Sequence, residues 1–471
     1  MAFESVLTTG IYCRAECSAT PLQKNVTQYP TEVAAEAAGF RPCLLCRPDR
    51  LPPSTHQAAP VAVNEALLLI TDGYLDSHSE EQLGAHVGYS ARQLRRVFQD
   101  HVGATPSFVA RSRRAHFARR LLDESDLPMT DVTYASGFAS VRQMNRVVRE
   151  IFDFSPTELR GKRKRGDNLQ IDGGLRLRIP YGQPMDVSQA LGYLQSRAIH
   201  GVEAVVDGIY RRTTNTCGYP GVLELKDHGD GRNVELLAHL PSFNSIIDDI
   251  ARCRRMLALD IDITSAVEQL RKDPLLGPVV TKAPGWRLPG AWDRFETSIR
   301  IILGQQVSVA AASTLIGRLV ERVGTPIEHV DLGPLTHLFP SAQAVAESNL
   351  DGLGITGGRI RAIHAFANAV VQGDVDLTRV ANLDETEQQL TAVAGIGPWT
   401  AQLIAGRVMG HLDAFPASDL GVRKGVTQLV GASQIVSADE ASQVAESWRP
   451  FRAVAVAHLW NLPKPGASND Q

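Results

Sequence analysis

At roughly 100–200 residues per domain, a chain of 471 residues has room for three or four domains. With 44% hydrophobic and 21% charged residues it reads as globular. No apolar run approaches the ~18 residues of a membrane span, and Met1-Ala2-Phe3-Glu4-Ser5 is not a basic leader with an apolar core. A membrane partner and a secretory route are therefore not expected, and the cytoplasm is the expected compartment. The net charge of −3 does not by itself suggest a nucleic-acid binder, but residues 1–165 carry 21 basic against 18 acidic side chains. The basic excess lies in separate stripes between Arg92 and Arg165, and local stripes matter more for DNA than the total.

The N-terminal segment, residues 1–52, holds four of the six cysteines. Cys13-x3-Cys17 and Cys43-x2-Cys46 are two short chelating pairs, the spacing that gathers four thiolates around one structural zinc ion. So small a domain needs such a staple, because its core alone is insufficient. The runs Thr8-Thr9-Gly10-Ile11-Tyr12-Cys13-Arg14 and Ala38-Gly39-Phe40-Arg41-Pro42-Cys43, continuing to Cys46-Arg47-Pro48-Asp49, resemble the zinc domain of the Ada adaptive-response family. That resemblance implies zinc held by Cys13, Cys17, Cys43 and Cys46. It also implies that Cys13 accepts a methyl group from a DNA methylphosphotriester. Only twelve residues precede Cys13, so an N-terminally short form of the domain is expected. Thr20 stands where the family often carries an arginine. The remaining cysteines, Cys217 and Cys253, read as ordinary thiols.

Pro52 to Pro60 reads as a linker, and residues 61–160 as an all-α domain. Ser79 with Gln82 and Ser90 with Gln93 form capping signatures around the Gly88-Tyr89 turn. Leu94, Val97 and Phe98 make a buried stripe, leaving Arg92, Arg95 and Arg96 to face DNA. The pattern recurs about 50 residues later. There a short helix from Thr130-Asp131 leads to the Gly137-Phe138 turn and a Ser140 cap with Gln143. Met144, Val147, Val148 and Ile151 are the apolar stripe, and Arg142 and Arg146 are exposed. Recognition helices of this kind lie in the major groove, where arginine reads guanine edges. The second unit resembles the AraC-type DNA-binding domain, with Met144, Val148 and Asp153 departing from its usual residues. That resemblance implies a transcriptional regulator, with promoter DNA and RNA polymerase as partners.

Gly161 to Gly166 is a basic linker. Alternation over Leu175–Ile179, with further strands at Val205–Tyr210 and Val222–Leu225, predicts a mixed α/β domain over residues 172–288. Helical patterns return over 289–463, followed by a polar tail. The decisive run is Ala394-Gly395-Ile396-Gly397-Pro398-Trp399-Thr400 between two helices. Its glycines permit a tight turn and close approach of a DNA backbone, and free amides at the next helix can hold phosphate. Alone it would be a plain helical hairpin. Asp419, closing Phe415-Pro416-Ala417-Ser418-Asp419 twenty residues after Trp399, adds a carboxylate.

Together these motifs resemble the helix-hairpin-helix/Gly-Pro-Asp glycosylase superfamily. The Pro289–Glu296, Ile302–Ser308 and Arg449–Trp460 segments resemble its AlkA branch, and the resemblance covers about residues 173–463. It implies a 3-methyladenine DNA glycosylase II with Asp419 as catalytic carboxylate. It further implies Trp399 stacking on a flipped base, Trp460 as a second wall and Gln306 as the wedge that fills the vacated stack. Gly395, Gly397 and Thr400 are the expected DNA-binding positions of the hairpin, with a monovalent cation there as a further expectation. Trp399 stands where bifunctional lyases carry lysine, and no cysteine follows Cys253. A monofunctional enzyme without an iron–sulfur cluster is expected. No Pro-Cys-His-Arg motif occurs, so O6-alkylguanine transfer is not expected. The whole reads as multidomain: a zinc-stapled α+β domain, an all-α tandem helix-turn-helix domain, an α+β AlkA N-terminal domain and an all-α glycosylase domain. The implied role is alkylation repair fused to a methylphosphotriester-sensing regulator, active on double-stranded DNA in the nucleoid. The alternative is a transcription factor whose glycosylase-like half only binds DNA.

Overall fold

The computed structural model describes residues 3–19, 21–50, 60–164, 174–216, 218–244, 246–261, 263–327, 333–378 and 382–463. The expected linker up to residue 59, the end of the basic linker beyond Lys164, the polar tail past Pro463, Thr20 and Cys217 lie outside these residues.

In chain order, strands β1 (Phe3–Val6), β2 (Ile11–Arg14) and β3 (Val26–Tyr29) precede helix α1 (Glu32–Ala37) and strand β4 (Arg41–Pro42). Helices α2 (Val61–Thr71), α3 (Tyr74–Ser77), α4 (Glu80–His86), α5 (Ala91–His101) and α6 (Pro106–Glu124) follow. Next come α7 (Met129–Ala135), α8 (Val141–Phe152) and α9 (Pro156–Gly161). A mixed stretch then runs through β5 (Leu175–Pro180), α10 (Val187–Gln195), β6 (Glu203–Val206), β7 (Ile209–Thr214), β8 (Gly221–Asp227) and β9 (Asn233–His239). It is followed by α11 (Ile246–Met256), α12 (Thr264–Leu270), α13 (Gly277–Lys282), α14 (Arg294–Leu303) and α15 (Val309–Val323). The short strands β10 (Thr325–Pro326) and β11 (His337–Leu338) form a ribbon. The remainder is helical: α16 (Ala342–Glu347), α17 (Gly357–Gln372), α18 (Leu383–Thr391), α19 (Pro398–Arg407), α20 (Leu420–Val430), α21 (Ala438–Ala445) and α22 (Arg452–Trp460).

These elements form two compact units. Met1–Gly182 with Thr213–Arg254 make one, and Gln183–Arg212 with Arg255–Gln471 the other. The α/β segment expected over 172–288 contributes to both. One of its expected strands is two: Asp207 and Gly208 both take positive φ, +53° and +73°. That is the two-residue turn that suits strand twist, so Val205–Tyr210 becomes the β6–β7 hairpin, with Val205 paired to Tyr210.

In the first unit, β3-β1-β2-β4 form a small sheet, with Phe3 and Tyr12 packed edge to face under α1. This segment seats on α6 through a buried polar knot. Glu36 accepts from the Tyr12 hydroxyl at 2.7 Å, the Ser112 hydroxyl at 2.6 Å and the His116 ring at 2.6 Å. Arg47 donates to Asp123 of α6 at 2.6 Å and to Asp49. Helices α4–α5 and α7–α8 are the two helix-turn-helix pairs. Ser79–Gln82 and Ser90–Gln93 are full capping boxes. Ser140 caps α8 through the Gln143 amide, but the Gln143 side chain accepts from Ala139 instead. The turns sit at Gly88 and Gly137 with φ of +77° and +73°. Asp153 closes α8 at φ +61°, a left-handed position that Asp tolerates. Strands β5, β9 and β8 pair antiparallel in this unit.

The second unit has two apolar clusters. One gathers Ile299, Ile302, Phe366, Leu390 and Ile404; the other gathers Val422, Val426, Trp448 and Leu459. Trp460 packs against both. A buried ion cluster locks the β6–β7 hairpin to α14. Arg212 meets Glu203 at 3.3 Å and Glu296 at 2.9 Å, while Arg300 meets them at 3.1 Å and 3.3 Å.

Candidate catalytic and metal centres

Strand β2 delivers Cys13, and the turn after it returns Cys17, whose amide donates to the Arg14 carbonyl at 3.0 Å. The Cys43 amide donates to the Tyr12 carbonyl at 3.0 Å, which places the second chelating pair beside the first. The four Sγ atoms lie within 4.8 Å of one another. A tetrahedral zinc site with bonds of about 2.3 Å spaces its sulfurs about 3.8 Å apart, so the donor set fits zinc after slight contraction. Burial pushes the Cys13 thiol well up, with its bond to Cys43 adding to the effect, and pushes Cys46 up to about 11. Cys43 is also buried, yet amide donors from Cys46 and Leu45 pull it below the ordinary value. Four thiolates this close need a cation, which is the charge a zinc ion supplies.

The predicted DNA-facing arginines divide. Arg92 and Arg96 are exposed on α5, as are Arg142 and Arg146 on α8. Arg95 is not free. Its guanidinium pairs with buried Glu80 and lies 3.8 Å from Glu81. Glu80 needs that charge because it sits where α4 meets α6 and also accepts the Ser107 amide at 2.9 Å.

The glycosylase-like half centres on the turn between α18 and α19. Gly395 has φ of +85°, and a Cβ there would lie 2.4 Å from the Cβ of Ala362. Gly397 differs: its φ is −95° and nothing lies within 4 Å of a Cβ. It is the N-cap of α19, with no side-chain cap over the first amides, a ready site for phosphate. Thr400 is buried and accepts from Gln305 Nε2 at 2.8 Å. Its hydroxyl therefore steadies the Gln305 loop and does not face solvent. Gln306, next in that loop, is exposed at φ +55°.

Asp419 ends a short turn in which its amide donates to the Pro416 carbonyl at 2.8 Å, and it caps α20. Its Oδ1 accepts from the Val422 amide at 2.9 Å and from Trp460 Nε1 at 2.9 Å. Its Oδ2 accepts from Trp399 Nε1 at 3.0 Å. Capping and site chemistry thus use one carboxylate. The sequence alone missed Gly421. A Cβ there would meet Asp419 Oδ1 and Trp460 Cδ1, both at 3.0 Å, and its position two residues past Asp419 was the available signal. Asp419, Trp399, Trp460, Gln305 and Gln306 line one cleft of about 1720 Å³ in this unit. That exceeds the ~300–1,000 Å³ of most small-molecule pockets and suits a polymer with one residue inserted. Among the described residues, no helix is long and apolar enough to cross a membrane.

Four family models match in succession. They are the metal binding domain of Ada over 2–49, a helix-turn-helix domain over 83–162, the AlkA N-terminal domain over 176–293, and the HhH-GPD superfamily of base excision DNA repair proteins over 299–450. A Mycobacterium tuberculosis protein named "Probable bifunctional transcriptional activator/DNA repair enzyme AlkA" is 40% identical over 97% of this chain and 92% of its own length. The chain belongs to this bifunctional AlkA family. DNA-3-methyladenine glycosylase 2 of Escherichia coli is 30% identical over 59% of the AlkA-family chain and 94% of its own length. The 3-methyladenine DNA glycosylase structure from Archaeoglobus fulgidus superposes with a TM-score of 0.52. It covers 60% of this chain and 97% of that one at 21% identity, a likeness of fold. The order of matched models reproduces the multidomain class expected from the motifs, including the zinc-binding segment.

Proposed function

We propose that this chain is a monofunctional DNA glycosylase for alkylated bases, joined to a DNA-binding regulator. The observation that carries the reading is the Asp419 carboxylate held by two indole N–H groups in a cleft beside a helix-hairpin-helix. A target base is unreachable in the stack and must be flipped out. Alkylated purines of the 3-methyladenine and 7-methylguanine type carry ring charge and are already good leaving groups. The remaining work is to stabilise an oxocarbenium-like sugar and to direct water to C1′ as the C1′–N9 bond breaks. Asp419 has the charge and the fixed direction for that. Trp399 and Trp460 supply aromatic walls, where stacking contributes about 1–3 kcal/mol per base. Gly397 and the uncapped amides of α19 grip phosphate, and exposed Gln306 fills the vacated stack. Release of 3-methyladenine from alkylated duplex DNA, abolished in Asp419→Asn, is the expected result. No release by the wild type leaves only the transcription-factor reading.

The paired cysteines support a second activity. Cys13 sulfur attacks the methyl carbon of a backbone methylphosphotriester; a C–S bond forms, the C–O bond breaks, and an ordinary phosphodiester anion leaves. The anionic sulfur becomes a thioether, which removes negative charge beside a phosphate and tightens DNA binding. Arg92, Arg96, Arg142 and Arg146 then engage promoter DNA, with RNA polymerase as the downstream partner and the nucleoid as the place of action. Methyl uptake from phosphotriester DNA by the wild type but not by Cys13→Ala tests this arm.

A further inference from the structure

The catalytic cleft has a second, basic end. Trp399, Leu403 and Arg407 follow one another at i, i+4 and i+8 on α19, and all three line the cleft. At 1.5 Å per residue, Arg407 lies about 12 Å along the helix from Trp399. There the Arg197 guanidinium stacks on Tyr193, 3.7 Å from the ring centroid, and the Arg407 guanidinium stands 5.7 Å from the same ring. Tyr193 and Arg197 line the same cleft.

These two arginines differ from their neighbours in what balances them. Arg300 also lines the cleft, but Glu203 and Glu296 balance it together with Arg212. Buried Arg287 spends its donors on the Ala258 and Ile261 carbonyls. Among the described residues, the Arg197 side chain bonds only to neutral groups, the Tyr193 carbonyl at 3.4 Å and the Ser196 hydroxyl at 2.7 Å. Arg407 has neither a carboxylate nor a carbonyl partner among the described residues, and its buried Nε makes no hydrogen bond. The terminal nitrogens of Arg212 and Arg287 find acceptors within the fold. Arg407 is left to find one in what enters the cleft.

We propose that Arg407, backed by Tyr193 and Arg197, is a specificity-determining residue that favours 6-oxo purines over 6-amino purines. The inference rests on the glycosylase reading of this cleft. A flipped purine with its glycosidic bond at Asp419 points its C6 edge away from the sugar, toward the basic end. Guanidinium offers donors only, so it matches the O6 lone pairs of a guanine-type edge, the acceptor that 7-methylguanine keeps there once its N7 is methylated. A 6-amino group would set donor against donor.

The test uses the full-length chain on randomly methylated duplex DNA, which presents 7-methylguanine (6-oxo) and 3-methyladenine (6-amino) in one reaction. The readout is the ratio of the two free bases at early times. Arg407→Gln, which offers an acceptor as well as a donor, lowers the ratio of 7-methylguanine to 3-methyladenine by up to about tenfold, the net size of one hydrogen bond. Arg407→Lys, which keeps charge and donors only, holds the ratio within about twofold. For the unmodified chain, free 7-methylguanine inhibits more strongly than free 3-methyladenine, a measurement that needs no variant to fold. An unchanged ratio in Arg407→Gln, with both rates falling together, overturns the proposal in favour of a backbone or structural role. Equal inhibition by the two free bases overturns it as well. Absence of any base release by the wild type removes the glycosylase reading itself, and this inference with it.

Discussion

The indole N–H of Trp399 points at Oδ2 of Asp419 from 3.0 Å, while Trp460 approaches Oδ1 from 2.9 Å. Two aromatic walls of the cleft are thus also the clamps of its carboxylate. Phenylalanine at 399 keeps an apolar wall and removes one clamp. A loosened catalytic group can cost about 10²-fold when its placement shifts by an ångström. We expect Trp399→Phe to lower the single-turnover rate of base release by about ten- to a hundredfold, with DNA affinity within about twofold. Trp460→Phe should act similarly, and the double variant should lose more than either. A single-turnover rate equal to wild type in Trp399→Phe would show that the clamp has no catalytic consequence.

The two glycines of the hairpin have different duties. Gly395 is locked by its φ of +85° and by Ala362 at 2.4 Å from a would-be Cβ. Gly397 has ordinary φ and open space. Gly395→Ala should therefore destabilise the second unit by about 2–4 kcal/mol, as overpacking at a left-handed position does. Gly397→Ala should change stability by less than about 1 kcal/mol and instead weaken DNA binding, because its methyl stands where phosphate approaches the α19 amides. Denaturant melts and DNA titrations on both variants separate the two effects. Equal stability losses would mean that the hairpin treats its glycines alike.

What could be read from the sequence was local. The Cys13–Cys17 and Cys43–Cys46 spacing, the Ser79 and Ser90 caps and the Gly395-Ile396-Gly397 turn each depend on neighbours within a few residues. So does Asp419 as an N-cap. The Asp207-Gly208 turn was equally local, a strong hairpin signal inside a run taken as one strand. The missed features join distant segments. Glu36 meets Ser112 and His116 from 76 and 80 positions away. Trp460 reaches Asp419 across 41. Periodicity marks which face of a helix is buried, not which charge waits on the other side. That is why Arg95 looked like a DNA contact.

Arg95 and its neighbours make that distinction measurable. Arg92 and Arg96 are exposed, whereas Arg95 neutralises Glu80, a carboxylate only 8% exposed. Alanine at 92 or 96 should weaken operator binding and reduce its salt slope by about one unit per lost phosphate contact. Their effect on stability should stay within about 0.5 kcal/mol, as for surface substitutions generally. Arg95→Ala leaves Glu80 short of its partner and should destabilise the first unit by about 1–2 kcal/mol. Pairing it with Glu80→Gln should recover part of that loss. Operator titrations at several salt concentrations, together with thermal melts, distinguish the two classes. A larger salt-slope change for Arg95→Ala than for Arg92→Ala would reverse the assignment.

His458 gives the second unit an acid limit. It lies on α22 two residues before Trp460, is 0% exposed, and neither ring nitrogen has a hydrogen-bond partner among the described residues. Burial alone pushes its pKa down to about 4. The unfolded chain holds this histidine near its ordinary value of about 6.5 and so takes up the proton first. Stability is therefore full above about pH 6.5 and falls as the pH drops toward 4, by about 1.4 kcal/mol per unit within that window. The total is on the order of 3 kcal/mol. His458→Leu removes the titration and should flatten denaturant midpoints between pH 6.5 and 4. His411, which burial also lowers, leaves a weaker slope of the same sign. Because α22 carries the Trp460 clamp, wild-type base release should be lost at a higher pH than in the variant. A denaturant profile as steep in His458→Leu as in the wild type would place the acid sensitivity elsewhere in the unit.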